Sequence, residues 1–412
     1  MTGSLLQLVA NGAQDQYLTG NPQITFFKVV YKRHTNFAME AISQTIEGTV
    51  GKGNKVSCKV SKNGDLLYNC WLDVDLTIPN TNTYYGLSII DNIEFELGGQ
   101  MIDKHYYRWI HAYMSSLVNS DESNVYESLQ YIHNIATSQK IKIPFLFWFC
   151  RNPGLALPLV ALQYHNSYFH ITFSNNLAKS SDNTFDHTID SVKLWCNYIY
   201  LDSDERRRFG QVKHEYLIEQ VQYQTNELNS NNSKTEVTSN IELYFNHPVK
   251  YLIWYMGIPD ISHTIYGANN KNSIYLSNAK ITMNGIDRFE EQNANYFKFT
   301  QFYECNINNQ YNNSYKKSIN YLNNKNTNIQ ISESFIENET SPLYYMYSFS
   351  LKPTSHQPSG TCNFSRIDTT QIELKHKSTG LSNTSNSTLH IFAINYNILR
   401  IECGLGGLAY SN

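Results

Sequence analysis

Two pairs of carboxylates, Asp73/Asp75 and Glu94/Glu96, stand at i, i+2 in strand-like sequence, so each pair projects from one face of its strand. Paired carboxylates are the equipment of glycoside hydrolysis, one acting as acid and the other as base or nucleophile. Both pairs, however, alternate with apolar residues: Leu72, Val74 and Leu76 around the first, Phe95 and Leu97 around the second. That alternation puts the acids on the solvent side of a half-buried sheet and explains them without catalysis. Glu290-Glu291 sits at a loop edge and carries no more chemistry.

Thirteen histidines are a second place to look for ligands or bases. His165 and His170 are five apart in strand-like sequence, which sends them to opposite faces. His105 and His111 are six apart near a helix start, an equally poor spacing. The chain holds no HExxH, no GxSxG and no glycine loop able to cradle phosphate. We therefore expect no catalytic residue, no cofactor-binding residue, no metal ligand and no cofactor.

Seven cysteines (Cys58, Cys70, Cys150, Cys196, Cys305, Cys362, Cys403) are odd in number, scattered and without CxxC spacing. They read as free thiols of a reducing compartment. The apolar stretch Leu5–Ala10 is too short for a signal peptide and lacks basic residues before it. No run approaches the ~20 apolar residues of a spanning helix. Synthesis in the cytoplasm is the expectation. A net charge of −3 and the absence of a basic stripe argue against direct nucleic-acid binding. The one dense basic cluster, Arg206–Arg208, fits a solvated turn.

Charged residues are only 16% of the chain and aromatics 14%, whereas ordinary soluble domains carry about 25% charge. Such a composition suits a protein that hides surface against other copies. A biased genome, raising Asn, Lys, Ile and Tyr together, would produce it too.

The elements that must position these residues are mostly strands. Period-2 alternation recurs in Val56/Cys58/Val60, Leu72/Val74/Leu76/Ile78, Ile93/Phe95/Leu97, Phe145/Phe147/Phe149 and Ile241/Leu243/Phe245. Turn signals such as Asn63-Gly64, Gly98-Gly99, Asn152-Pro153-Gly154 and Asn284-Gly285 separate them. Many short strands so punctuated indicate an all-β sandwich or barrel. Helical spacing appears at Trp109, Tyr113 and Leu117, then at Val125, Leu129, Ile132 and Ala136 behind an Asn124/Glu127 capping box, both inside one connection from Lys104 to Lys140. A shorter helix is predicted from Asp202 across the arginine triplet.

The chain also repeats itself. Phe149, Pro153 and Pro158 are matched 200 residues later by Phe349, Pro353 and Pro358, and Phe145 and Phe147 by Tyr345 and Tyr347. Asn197 meets Asn397 at the same offset. Phe95-x-Leu97-Gly98-Gly99 is echoed by Ile281-x-Met283-Asn284-Gly285 at another, as loop insertions would produce. Two halves of about 200 residues each have the size of a jelly roll. The expected fold is all-β: two tandem eight-stranded antiparallel jelly-roll sandwiches, a double jelly roll, with a few short helices in loops. The expected organisation is an N-terminal arm (1–26), a first jelly-roll domain (27–209) and a second (210–412). Leu5, Leu6, Leu8 and Val9 suit a short amphipathic arm; the Asn-rich stretch between Arg288 and Pro342 reads as exposed loop.

Six stretches stand out: LVANGAQDQYLTGNPQITFFK (8–28), YKRHTNF (31–37), GGQMIDKH (98–105), PGLALPLVALQYH (153–165), QPSGTCNFSRID (357–368) and GLGGLAY (404–410). They resemble the major capsid proteins of nucleocytoplasmic large DNA viruses, of the chlorella-virus and iridovirus type. The resemblance implies a double jelly roll whose homotrimer has a pseudo-hexagonal outline and tiles an icosahedral shell around an internal membrane. It also implies neighbouring capsomers, minor capsid proteins beneath the trimers, a different penton protein at the vertices, and a place in the virion. The connection Met256–Ser277 is shorter than in chlorella viruses and the region 300–340 longer, so outward loops and glycan positions do not carry over. Sequons at Asn231, Asn312, Asn338, Asn363, Asn383 and Asn386 are expected to stay unused, since cytoplasmic assembly misses the secretory route. The alternative is a lectin-like jelly roll that binds carbohydrate, because fold does not fix function.

Overall fold

Alternation is realised where the sequence shows it most strongly. In the strand Leu66–Thr77, Cys70, Leu72, Val74 and Leu76 are buried, while Trp71, Asp73, Asp75 and Thr77 lie half-buried on the other face. Val56 and Cys58, Ile93, Phe95 and Leu97, and Phe169 and Ile171 present the buried face of the opposing sheet. Each fully buried large side chain of this kind contributes roughly 1.5–3 kcal/mol over leaving it in water. These facts come from a computed structural model that describes residues 10–77, 84–85, 89–118, 125, 131–132, 138–175, 188–228, 236–257, 273–307, 344–379 and 387–410.

Residues 1–36 and 37–412 form two units. Among the described residues of the first, 10–36, the one helix is the short Gln16–Thr19, and Phe26, Phe27, Val29, Val30 and Tyr31 are all exposed. The apolar residues Leu5 to Val9 lie outside the described residues.

Among the described residues the second unit has four large sheets and a two-stranded one, Tyr84–Tyr85 with Tyr131–Ile132. The first runs Phe37–Gln44, Thr188–Leu201, Leu66–Thr77 and Leu157–Pro158, with Ser138–Pro144 also on Leu66–Thr77. Facing it is the sheet Ile46–Glu47, Lys55–Lys59, Ser167–Phe173, Ile90–Leu97 and Gln100–Tyr106. The third runs His214–Leu228, Ser387–Glu402, Pro248–Gly257 and Tyr345–Ser348; Cys362–Asn363 joins Pro248–Gly257, and Leu405–Leu408 joins Ser387–Glu402. The fourth runs Val237–Glu242, Thr370–Thr379, Ser273–Met283 and Ile286–Asp287, with Gln292–Asn293 beside Ser273–Met283. All these pairings are antiparallel.

The third and fourth sheets retrace the paths of the first and second. A first-sheet strand becomes its third-sheet counterpart in the same place: Phe37–Gln44 becomes His214–Leu228, Thr188–Leu201 becomes Ser387–Glu402, and Leu66–Thr77 becomes Pro248–Gly257. The last strand of each sheet is split, into Ser138–Pro144 with Leu157–Pro158 and into Tyr345–Ser348 with Cys362–Asn363. With each split strand counted once and the two-residue strands Ile46–Glu47 and Gln292–Asn293 set aside, each sandwich sets four strands against four, a jelly roll twice over. The turn echo is a structural one as well. Leu97 pairs with Gln100 across Gly98-Gly99, and Met283 with Ile286 across Asn284-Gly285, every loop residue having positive φ. Two-residue hairpin loops with φ > 0 at both positions demand Gly or Asn.

Two expectations need correction. Phe145, Phe147 and Phe149 are not one face of a strand: Ser138–Pro144 ends before them, and Trp148–Arg151 is a helical turn. Leu146 and Trp148 are buried along with the three phenylalanines. Phe95 explains the departure, since its ring meets those of Phe147, Trp148, Phe149 and Phe169 within 5.1–5.7 Å. Aromatic packing on all sides outweighs a ladder that would bury only one side. Second, Ile132 is not helical; Tyr131–Ile132 pairs with Tyr84–Tyr85, while the rest of the predicted helix 124–136, apart from Val125, lies outside the described residues. The helix Tyr107–Ser116 and the helix Ser203–Gln211, opening after Asp202, form as the spacing predicts.

Candidate assembly interface

The strands Pro248–Gly257 and Ser387–Glu402 are buried on both sides. Leu252, Trp254, Ile391 and Ala393 face the core of the second sandwich. Tyr251, Ile253, Phe392 and Ile394 face the other way and join the core of the first sandwich. The seam between the two halves is therefore an apolar core in its own right. The signal was present in the sequence as continuous apolar runs, Tyr251–Met256 and Ile391–Ile394, where a half-exposed strand would alternate.

The helix Tyr107–Ser116 fills this seam from the first half. Trp109 packs on Phe392 with ring centroids 5.6 Å apart, and just before the helix Tyr106 meets Tyr223 at 4.4 Å. His111 hydrogen-bonds the hydroxyl of Tyr344, and Tyr223 bonds His390 at 2.7 Å. Burial holds both imidazoles far below the ordinary histidine range, to about 3, with Arg108 adding to the effect at His390. They are neutral polar links at neutral pH.

Among the described residues, one ion pair crosses the seam. Arg151 Nη1 lies 2.9 Å from Glu219 Oε2, and Lys250 Nζ lies 2.5 Å from Glu219 Oε1. Burial would raise the Glu219 carboxyl, but the two cations hold it below the usual carboxylate range. Burial lowers the Lys250 ammonium, and Glu219 opposes that. Arg151 also stacks over Tyr113, and Lys250 over Tyr396. Arg151, Glu219, Tyr113 and Tyr396 border a small cavity of about 160 Å³ lined from both halves, together with Leu217, Pro353 and His356. Sequence reasoning missed this cluster; a lone Lys250 inside an apolar run was its trace, because a buried ammonium must have a partner.

Backbone bonds finish the seam. Asp103 is held by His105 at 2.8 Å and accepts the backbone N–H of Val221 at 3.1 Å. The C-terminal strand Leu405–Leu408 lies against the first half: Tyr164 N–H donates to Gly404, Gly406 N–H to His165 Nδ1, and Leu408 N–H to Gln100 Oε1. A Cβ at Gly406 would come within 2.7 Å of Leu162 and 2.8 Å of Leu97, which is why the run is glycine-rich.

The residues first considered for catalysis are not gathered. Glu94 is paired with Lys104 on the next strand and with Lys55 two strands away, Glu96 with His170, and Asp75 with Ser191 and Lys140 on neighbouring strands. His105, His111, His165 and His170 each serve a different partner. No cluster of three metal-ligating side chains occurs among the described residues. All seven cysteines are free thiols. The arginine triplet is exposed, and Arg206 also grips Asp65 through Nε at 2.8 Å and Nη2 at 2.9 Å, tying its helix to the chain just before the strand Leu66–Thr77.

The family model of the major capsid protein N-terminus matches residues 25–202, and that of the large eukaryotic DNA virus major capsid protein matches 205–316 and 330–407. The chain is 42% identical over 427 residues to the major capsid protein of Pyramimonas orientalis virus and 38% identical over 467 residues to that of Paramecium bursaria Chlorella virus 1, covering all of each. Superposition on a chain of the PBCV-1 capsid gives a TM-score of 0.77 at 34% identity, over 94% of this chain and 100% of that one. The Faustovirus major capsid protein shares the fold, with a TM-score of 0.68 at 11% identity over 95% of both chains. The family is a structural one, not a family of enzymes, and these relatives give the carbohydrate-binding alternative no support. On the strength of full-length relatives at this identity, the chain belongs to the large eukaryotic DNA virus major capsid proteins.

Proposed function

We propose that this major capsid protein acts as a homotrimeric capsomer of pseudo-hexagonal outline that tiles the faces of an icosahedral shell. The observation that carries this reading is the duplicated sandwich, held as one body by an apolar seam. Two similar sandwiches per chain become six around a threefold axis, and closed symmetry satisfies every copy equally. The division we propose is an arm at 1–26, a first jelly-roll domain at 27–209 and a second at 210–412. The exposed apolar residues of the N-terminal unit support a role for it in contacts beneath the capsomer, with minor capsid proteins near an internal membrane. Neighbouring capsomers, and a separate penton protein at the vertices, complete the shell. Synthesis and assembly in the host cytoplasm accord with seven free thiols. No catalytic, cofactor-binding or metal-binding residue is assigned. Light scattering of the purified chain should give three times the chain mass of 47.6 kDa, and electron micrographs a hexagonal outline. A stable monomer at micromolar concentration would overturn the proposal.

A further inference from the structure

The cavity at the seam has the make-up of a binding site. At about 160 Å³ it is close in size to the roughly 150 Å³ cavity that takes up benzene in an engineered protein core. Tyr113, Trp148 and Tyr251 give it aromatic walls, the last two fully buried. Leu217, Thr354 and His356 are lining residues that are also exposed, so the mouth opens on their side. The polar groups are out of balance in one direction. Arg151 and Lys250 bring two positive charges to the single negative charge of Glu219. Each cation engages one Glu219 oxygen, so the carboxylate is fully occupied, whereas the guanidinium gives it only Nη1. Lys250, 1% exposed, is sealed behind the wall; Arg151 is on the wall with 24% of its side chain open. Tyr396, on the same wall, has a buried hydroxyl without a hydrogen-bond partner among the described residues. An excess buried charge and an orphaned hydroxyl both call for a partner. A negatively charged acceptor answers both.

We infer that this cavity binds a small organic carboxylate, with the anionic end on Arg151 and the apolar body between the aromatic walls. Charge-assisted bonds from the guanidinium orient the carboxylate, and burial of the apolar body adds affinity. A bare inorganic anion would leave the aromatic walls unused, and an organic cation would meet the excess positive charge. Because the lining comes from both halves of the chain, the ligand binds only where the two sandwiches are docked. Whatever binds the folded state alone stabilises it, so the bound carboxylate strengthens the seam.

The probe is benzoate, with benzamide and benzamidine as its neutral and cationic counterparts, each titrated calorimetrically into the full chain. Benzoate should bind at a single site per chain with a Kd of about 1 mM or tighter, and the other two at least about tenfold more weakly. Rising benzoate concentration should also raise the melting temperature. Thr354→Trp and Leu217→Trp each place an indole at an exposed position of the mouth, so both should fold as the parent does by circular dichroism. Each should weaken benzoate binding by about tenfold or more, because the space is filled. Tyr244→Trp, exposed and outside the cavity lining, should leave it unchanged. Without saturable benzoate binding the cavity holds water only, and the inference is overturned. Equal affinity for the three probes, or full benzoate binding in a folded Thr354→Trp or Leu217→Trp chain, overturns it as well.

Discussion

Arg151 reaches Glu219 at 2.9 Å from the opposite sandwich, and Glu219 in turn holds Lys250, whose side chain is 1% exposed. One carboxylate thus holds two cations, Arg151 from across the seam and Lys250 from its own sheet. An isolated surface pair would be worth about 0–1 kcal/mol. Here removal of the middle charge strands a buried ammonium, which costs about 3–5 kcal/mol. Glu219→Gln should therefore lower stability by that order in chemical denaturation. A loss no larger than that of an exposed pair would show that the cluster is incidental to the seam.

The hairpin loop Gly98-Gly99 separates two effects that usually come together. Both glycines have positive φ, 59° and 88°, so Ala at either costs about 1–2 kcal/mol in backbone strain. A Cβ at Gly99 meets nothing within 4 Å, whereas one at Gly98 would lie 2.1 Å from the ring of His165. That ring accepts the N–H of Gly406 from the C-terminal strand. Gly98→Ala should thus lower the melting temperature clearly more than Gly99→Ala, and equal losses would mean that His165 simply swings aside.

How much of this was readable in advance depends on which face a residue uses. Residues such as Leu72, Val74 and Leu76 obey period-2 alternation because one sheet face is buried, and they marked the sandwiches correctly. The duplication was legible through Gly98-Gly99 and Asn284-Gly285, since positive φ leaves few residue choices. Phe145 to Phe149 misled because alternation also arises when a segment is buried all round. The seam was illegible as a site: Arg151, Glu219 and Lys250 are distant in sequence, and only the packing of one sandwich on the other brings them together.

The thiols offer a direct check on the packing. Cys70 and Cys196 face each other across paired strands with sulfurs 3.6 Å apart, and Cys58 lies in the same core. Burial raises the Cys58 thiol to about 12 and Cys70 well above the usual range, so neither offers thiolate at neutral pH. Cys403 alone is exposed. Native protein should react with a thiol reagent at Cys403 within minutes, at half-buried Cys362 more slowly, and at the five buried thiols only after denaturant is added. Rapid native labelling of Cys70 or Cys196, read by peptide mass, would contradict the packing of the first sandwich.

Acid should loosen the seam over a window set by its histidines. His111 and His390 are neutral in the fold down to about pH 3, whereas in the unfolded chain they take up protons below about pH 6.5. Between those values the unfolded state binds more protons, so stability rises with pH; it is fully present above about 6.5 and lost as pH falls toward 3. Each histidine contributes at most about 1.4 kcal/mol per pH unit to that slope. Glu219 acts in the same sense lower down: its depressed carboxyl stabilises the fold above the unfolded value near 4.3 and ceases to as pH drops through the folded one. Denaturation midpoints taken at half-unit steps from pH 7 to 4 should fall steadily. The slope should shrink in His390→Gln, which has no proton to gain. A flat profile in the parent chain, or an unchanged slope in the variant, would remove the buried imidazoles from the account of acid sensitivity.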